Sequence, residues 1–496
     1  MQKKQTILVV ASLLVVVLSV TLAYFTAQII GKGKNVTINS ADLKIIFTDN
    51  DGSISGTNIE PGKWNVTKTF TIENKSNETY KYNIVIQDLV NTFVTNGYLQ
   101  YKITSTNNGY NMTEFKDVPK SETATDTILA YSVSISVGVT QSYTVEFKYA
   151  NDESVDQSND MGKKLSGTLF ITEGTEDPNK TLYNQLLVDK STKLTRTDFS
   201  KVLTDNNTNT LYTGVEDSKT VYYFAGNATD NWVKFGKNAS NQDLYWRIIR
   251  TNSDGSVRLL YHGTSTTTTD AYIGTSAFNS SYDNIAYVSY MYGSLGSISS
   301  ARENTNNSTI KTTIDNWYIS NLEAKGYTKY LSTTAVYCND RSISSDSINF
   351  GAFTRLGTNK TPSYDCAATE DKFTVDTSTG NGKLTYPIAL MTADEVSFAG
   401  GLYGANTPTW YYYNSVNGSS TGSKFWWLLS PLDSSTSGSS MFIVRGSSNP
   451  GRLNYNYVYS NNGVRPALSL KSCVKYSSGD GSASDPYTIK ETETGC

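Results

Sequence analysis

WWLLSP at residues 426–431 and GVRPALSL at residues 463–470 are the two ends of the stretch that determines the fold of the C-terminal part of the chain. Both motifs are mostly apolar, so we expect each to bury against a protein core. The middle of the stretch is built from Tyr, Asn, Ser, Gly and Arg, the composition of binding surfaces. We therefore predict a displayed binding face whose candidate ligand-binding residues are Arg445, Ser447, Asn449, Arg452, Asn454, Tyr455, Asn456, Tyr457, Tyr459, Asn461 and Asn462, with Trp410 and Tyr412 nearby.

The composition of the whole chain limits the class of protein. A length of 496 residues exceeds one ordinary core and predicts two or three domains. Lys and Arg number 42 against 45 Asp and Glu, a net charge of −3 that gives no electrostatic grip on phosphate backbones, so we expect no nucleic-acid partner. The 35 Tyr and 36 Gly, among many Asn, Ser and Thr, are typical of all-β extracellular modules.

Four cysteines occur, and their spacing argues against a zinc site because they form no close CxxC pair and have no histidine cluster beside them. In an exported protein the natural disulfides would join Cys338 to Cys366 and Cys473 to Cys496. Spacing alone does not fix the connectivity.

The N-terminus has the pattern of an export segment, with Lys3 and Lys4 before the apolar run 7–23 and small residues after it. We expect residues 1–30 to act either as a signal peptide cleaved near Ala23 or as a membrane anchor over residues 7–25. The protein would then be secreted or held at the cell surface, touching a membrane only through this segment.

Residues 31–173 alternate apolar and polar positions, as in 80–86 and 143–149. A period of two predicts strands with one buried face, and turn signals such as Pro61-Gly62 separate them. We predict an antiparallel β-sandwich of about seven to nine strands.

The motifs ADLKI at 41–45, IEPG at 59–62 and FTIEN at 70–74, following the export segment, resemble the TasA/camelysin family of secreted Gram-positive proteins. That resemblance implies an all-β jelly-roll sandwich. It also implies self-assembly in which an N-terminal strand, here within residues 25–40, is lent to a neighbouring copy.

A polar, acidic stretch with Pro178 indicates a boundary, and we assign residues 174–219 to a linker with a short helix over 182–188. The second domain, 220–496, begins with strand patterns and a hairpin joining 244–250 to 257–261. Helical spacing over 310–322 and a capping box at 392–395 predict two helices. The whole chain is therefore expected to be multidomain, an all-β part followed by an α+β domain.

Four motifs of the second domain, in their order along the chain, resemble a C-type-lectin-like bacterial surface domain. Its fold is related to that of formylglycine-generating enzymes and of the variable proteins of diversity-generating retroelements. The four motifs are YWRIIR at 245–250, LMTADEV at 390–396, and the two motifs that bracket the C-terminal stretch. The resemblance implies that the candidate residues between 442 and 462 form an exposed, diversified binding face. The alternative is a fixed Asn- and Tyr-rich hairpin whose side chains only solvate loops.

Catalytic patterns are weak. The single histidine, His262, has no neighbouring motif, and Asp394 with Glu395 fits charges at a helix N-terminus better than an acid–base pair. We expect no enzyme activity, no cofactor and no metal site. Carbohydrate could stack on 410–413 or on Trp426 and Trp427, although packing is the commoner role of such aromatic residues.

These observations predict a secreted or cell-surface binding or adhesion protein that recognises an unknown protein or glycan through the C-terminal face. The alternative is a structural subunit of a surface or biofilm fibre, without a dedicated ligand, that self-assembles through its β-sandwich.

Overall fold

The computed structural model describes residues 36–496 except 41–42, 50–52, 56–58, 176, 179, 206, 269–270, 344–348, 409–424, 436–437 and 447–448. The chain divides into two compact units, Met1–Pro178 and Asn179–Cys496, and both are rich in strands. The expected multidomain, β-rich organisation is thereby confirmed. The predicted export segment lies outside the described residues, and among the residues that are described no helix is long and apolar enough to cross a membrane.

Two antiparallel sheets build the first unit, in the orders β1-β2-β4-β9-β6-β7 and β3-β10-β5-β8. A short 3₁₀ helix at Ser158–Asp160 precedes the last strand. The strands are β1 Val36–Ser40, β2 Leu43–Asp49, β3 Ser53–Ser55, β4 Asn65–Asn74, β5 Tyr80–Asn91, β6 Leu99–Ser105, β7 Lys116–Asp117, β8 Ser121–Ile135, β9 Thr140–Tyr149 and β10 Leu165–Glu173.

One hydrophobic core joins the two sheets, because alternate residues of each sheet point into it. Ile84 and Ile86 come from one sheet, and Val145 and Phe147 from the other, and all four are buried. The alternation in the sequence therefore predicted these strands and their buried faces correctly. The expected donor segment 25–40 is described only over β1, which pairs with β2 of the same chain.

The second unit contains a ten-stranded sheet and a five-stranded sheet. In the larger sheet the strand order is β11-β12-β13-β15-β14-β29-β28. Strand β16 also pairs with β15 and β27, and β27 pairs with β22. In the smaller sheet the strand order is β17-β26-β23-β24-β25. The strands are β11 Thr192–Thr195, β12 Thr210–Glu216, β13 Lys219–Tyr223, β14 Trp232–Lys237, β15 Asp243–Thr251, β16 Val257–Gly263, β17 Thr275–Ser276, β18 Met291–Tyr292, β19 Asn306–Asn307, β20 Tyr337–Cys338, β21 Lys372–Phe373, β22 Ile388–Leu390, β23 Trp426–Ser435, β24 Gly438–Val444, β25 Leu453–Tyr457, β26 Asn462–Gly463, β27 Pro466–Leu470, β28 Tyr476–Ser478 and β29 Tyr487–Ile489.

Short helices complete the second unit: α1 Leu182–Asp189, α2 Ile298–Ala301, α3 Thr309–Tyr318, α4 Gly351–Phe353 and α5 Ala393–Phe398. The predicted helix after Ser308 is confirmed: the Ser308 hydroxyl accepts a hydrogen bond from the Lys311 amide, and a π-helical turn extends α3 to Glu323. The capping box is also present, because Thr392 and Glu395 each bond the other's backbone amide.

The boundary between the units lies earlier than the sequence indicated. Residues 182–216, assigned to a linker, contribute α1, β11 and β12 to the second unit. Leu182, Leu186 and Leu211 are buried in the core of that unit. The polar composition of residues 198–209 concealed this, since only a few apolar side chains attach the segment to the core.

The two bracketing motifs enter different sheets. WWLLSP opens β23 in the five-stranded sheet, whereas the end of GVRPALSL forms β27, between β16 and β22 in the ten-stranded sheet. Trp426, Trp427, Leu468 and Leu470 are completely buried. The polar stretch between the motifs is thus fixed at both ends by core packing.

Disulfides close two segments of the second unit. Cys338 is bonded to Cys366, and Cys473 to Cys496, the same pairs that the sequence favoured. The first bridge lies beside a network of buried ion pairs, and the second ties Cys496 to the turn between β27 and β28.

Candidate functional site

Strand β25 forms one edge of the five-stranded sheet and carries the central predicted residues. It runs antiparallel to β24, with Phe442 opposite Tyr455 and Ser440 opposite Tyr457. Every residue of β24 is buried, whereas Tyr455 and Tyr457 are exposed. The edge strand therefore lies on a rigid support and displays its aromatic side chains to solvent.

Four exposed tyrosines form what we call the tyrosine face: Tyr282, Tyr455, Tyr457 and Tyr459, with 45%, 39%, 45% and 49% of their surface accessible. The rings of Tyr457 and Tyr459 are stacked, with 5.7 Å between centroids. Tyr459 also contacts Tyr282, at 4.9 Å between centroids. Ring contacts of this kind hold side chains in place before any ligand arrives.

Tyr282 was missed in the sequence because it lies far from β25 along the chain. Two backbone bonds bring its segment there: the carbonyl of Val458 accepts hydrogen bonds from the amides of Phe278, at 2.8 Å, and Asn279, at 3.0 Å. No local pattern in the sequence signals this contact, since it depends on tertiary pairing alone.

Asparagine side chains cover the outward amides of β25. The Asn454 Oδ1 accepts a hydrogen bond of 2.8 Å from the Tyr455 amide, and the Asn456 Oδ1 accepts one of 3.0 Å from the Tyr457 amide. An open sheet edge with free amides is a template for pairing with another strand. Because these donors are already bonded, the edge offers its tyrosine side chains rather than its backbone.

The turn after β25 holds the next predicted residues. Asn456 donates to the Oδ1 of Asn462 at 3.2 Å, and Ser460 donates to the Oδ1 of Asn456 at 3.1 Å. Asn461 is exposed, but Asn462 is buried. The sequence predicted an exposed, ligand-contacting Asn462, but the structure buries this side chain in the turn, where it accepts the hydrogen bond from Asn456.

Arg445 and Arg452 close the turn between β24 and β25, where the Arg445 amide donates to the Arg452 carbonyl at 2.9 Å. The Arg445 guanidinium lies 5.2 Å from the centroid of the Phe425 ring, and Arg452 bonds Asn406 at 2.9 Å. Asn449 is partly exposed in this turn. Ser447, Trp410 and Tyr412 lie outside the described residues.

A carboxyl group lies on the same side of the sheet as the tyrosines. Asp433 of β23 is paired with Ser440, which is in turn paired with Tyr457. Burial raises the pKa of Asp433, and a hydrogen bond from the Ser440 hydroxyl partly opposes that rise. Tyr403 packs on Phe442 at 5.9 Å between ring centroids, and burial raises its pKa also.

Two tryptophans considered for sugar stacking are unavailable. Trp426 and Trp427 are fully buried, and the Trp427 indole donates to the Ser276 carbonyl at 2.8 Å. The apolar WWLLSP motif predicted this burial, and it leaves neither ring a surface on which a sugar could stack.

The carboxylates considered for catalysis are held in buried ion pairs. Glu395 contacts Arg250 at 2.9 Å and Arg258 at 2.7 Å, and Asp394 contacts Arg355 at 3.0 Å. Although burial alone would raise the pKa of Glu395, Arg258 and Arg250 hold that pKa below its usual value. A carboxylate so paired stays ionised and has no free face for a substrate.

His262 is buried against the Trp232 ring, with 4.3 Å between ring centroids. Burial, then Arg247 and Arg465, hold its pKa well below the usual value, so the ring is neutral at pH 7. Within the described parts of the chain, no group of three or more His, Cys, Asp or Glu residues is placed to hold a metal ion.

Comparison with known proteins gives little. No family model and no curated protein matches the chain. A β-glucosidase from Kluyveromyces marxianus, solved in complex with glucose, is 11% identical over 30% of this chain and 16% of its own length, with a TM-score of 0.15. The chain thus spans about a sixth of that enzyme, and a TM-score so low carries no argument about fold or activity.

Proposed function

We propose that this protein is an exported, surface-displayed binding protein that recognises its ligand through the tyrosine face. The observation that carries the proposal is the group of four exposed tyrosines, two of which lie on an edge strand whose neighbour is entirely buried and three of which are joined by ring contacts. Isolated exposed aromatic residues need no explanation, but a contiguous set of four marks an interaction surface.

The physical advantage of such a face is low entropic cost. A tyrosine has two side-chain torsions, and neighbouring rings already restrict those of Tyr457 and Tyr459. Aromatic anchors of this kind are enriched among the residues that dominate binding energy. The flanking asparagines, Asn454 and Asn461, are partly or fully exposed and add adaptable hydrogen bonds.

We further propose that the second unit has a C-type-lectin-like fold and that residues 442–462 are diversified by a retroelement. The geometry supports this in that Tyr455, Tyr457, Tyr459 and Asn461 could each be replaced without disturbing the core, since all are exposed. Sequencing the gene and its neighbouring DNA in many sibling cells tests it. Substitutions confined to this stretch, with a template repeat nearby, are expected; an invariant stretch favours a fixed adhesin.

For the first unit we propose a jelly-roll sandwich that displays the second unit outside the cell. It contributes no candidate ligand-binding residue of its own. The alternative function, a fibre subunit, has one favouring observation: β1 and β2 form an outer pair of the six-stranded sheet, so a neighbouring copy could reach that edge.

Adhesion of cells that display the full chain tests the binding proposal. Wild-type cells and cells carrying Tyr455→Ser, Tyr457→Ser and Tyr459→Ser together would be washed over immobilised mucin, fibronectin and a glycan array. We expect adhesion of the triple variant to be at least tenfold weaker than that of the wild type, because the aromatic anchors are removed. Leu295→Ser, which changes another exposed apolar residue of the same unit, is the matched control. Adhesion that survives the triple change contradicts the proposal.

A further inference from the structure

We infer that the tyrosine face receives a lysine or arginine side chain of a partner protein, where Asp433 lies on the same side of the sheet as Tyr455 and Tyr457. This inference rests on the proposed function and narrows its ligand to one with a cationic group at the contact. It follows from strand register, from the charge of Asp433 and from the chemistry of the tyrosine rings.

The register places the three groups on one side of the sheet. Asp433, Ser440 and Tyr457 are direct partners across three neighbouring strands, so their side chains project from the same face. Tyr455 is the next residue of β25 on that face, opposite the buried ring of Phe442. Ser440, which lies between Asp433 and Tyr457 in this row, is small and buried.

The face includes a carboxyl group without a counter-ion in the described parts of the chain. Asp433 is partly exposed, and the neutral Ser440 hydroxyl donates a hydrogen bond to it. Arg445, in the turn between β24 and β25, is directed to the Phe425 ring. A partly desolvated carboxylate gains more from an added cation than a solvated one, because the local dielectric constant is lower.

The chemistry of the exposed tyrosine rings favours the same class of ligand. Tyrosine rings attract lysine and arginine side chains through the negative potential of their faces. An anionic ligand would meet Asp433, and a strand added to the edge would find the Tyr455 and Tyr457 amides already bonded to asparagine. A protein with a projecting basic side chain would pair that side chain with the carboxylate and pack it against the rings. The rest of its surface would cover the remaining area of the face.

Hexalysine is a suitable probe, and its fully acetylated form removes the charge while keeping the length. Binding to the full-length protein in detergent would be measured by fluorescence anisotropy at pH 7 and low salt. We expect hexalysine to bind and the acetylated peptide not to bind. Asp433→Asn and Tyr457→Leu should each weaken hexalysine about fivefold or more. Glu153→Gln, which removes the same charge from an exposed site in the first unit, should change it less than about twofold.

Three results would overturn the inference: no binding of hexalysine, equal binding of the acetylated peptide, or affinity of Asp433→Asn within a factor of about two of wild type. Circular dichroism on each variant shows whether it is folded, and Tyr457→Leu supplies the decisive comparison if Asp433→Asn is not. The proposed function fails separately, in the adhesion assay. If adhesion depends on the tyrosines but hexalysine binding does not depend on Asp433, the proposed binding face stands and its preference for a cationic ligand is refuted.

Discussion

The ring of Tyr457 lies parallel to the ring of Tyr459, with 8° between their planes and 5.7 Å between their centroids. On its other flank Tyr457 lies against Gly438 of the neighbouring strand. Tyr457 is thus held between a glycine and a second tyrosine, and Tyr459 between Tyr457 and Tyr282. The tyrosine face is ordered by contacts among its own rings and with Gly438, so its geometry can be changed without removing any of the tyrosines.

Gly438→Val tests that ordering. Even a methyl group at Gly438 would lie 3.0 Å from Cε1 of Tyr457, so the larger valine must displace the ring. We expect adhesion to fall about three- to tenfold while the melting temperature stays within a few degrees, because valine suits a strand. Ser478→Val, at an exposed position of β28, controls for the added side chain. Unchanged adhesion would show that the position of Tyr457 does not matter.

Asn454→Ala should make the chain self-associate. The substitution frees the Tyr455 amide, which now donates to Asn454 at 2.8 Å, and a free amide on an edge strand favours pairing with another copy. Light scattering at increasing protein concentration is expected to show dimers or larger species. Asn454→Asp keeps an acceptor oxygen and should behave as wild type. If the alanine variant stays as monomeric as wild type, the capping role is refuted.

Glu395→Gln should destabilise the second unit by about 3–5 kcal/mol in urea, because two buried arginines lose the carboxylate they share. Asp198→Asn, in an exposed pair with Lys201 at 3.5 Å, should leave the urea midpoint almost unchanged, because solvent screens such a pair. Equal effects of the two substitutions would mean that the buried network contributes no more than a surface pair.

The same network sets an acid limit to stability. Glu216 belongs to this network because it pairs with Arg250 at 2.7 Å. Although burial alone would raise the folded-state pKa values of Glu395 and Glu216, the nearby arginines hold these pKa values below the ordinary 4.5. Their contribution is therefore present above pH 4.5 and is lost as the pH falls through the folded-state values. Urea midpoints measured between pH 6 and pH 3 should decline most steeply below pH 4.5 in the wild type, and less steeply in Glu395→Gln.

Local patterns in the sequence predicted the secondary-structure elements well. They did not predict contacts between residues that are far apart along the chain. The alternation over 80–86 and the capping box at 392–395 are set by neighbouring residues, and both are present in the structure. Asn462 looks like its exposed neighbour Asn461, yet it is buried because the turn folds back on Asn456. Tyr282 joins the face through backbone hydrogen bonds from Phe278 and Asn279 to Val458, and Asp433 joins it through strand pairing; no spacing in the sequence expresses either contact.

His262 gives the last prediction, a loss of stability between pH 7.5 and pH 5. Its pKa is held well below 6.5 in the folded chain by burial and by Arg247 and Arg465, whereas the unfolded chain takes up the proton near pH 6.5. Stability should therefore fall as the pH falls, by about 2 kcal/mol at pH 5. The chain has one histidine, so His262→Phe should flatten this part of the urea profile. A slope that persists in the variant would assign the proton uptake to another group.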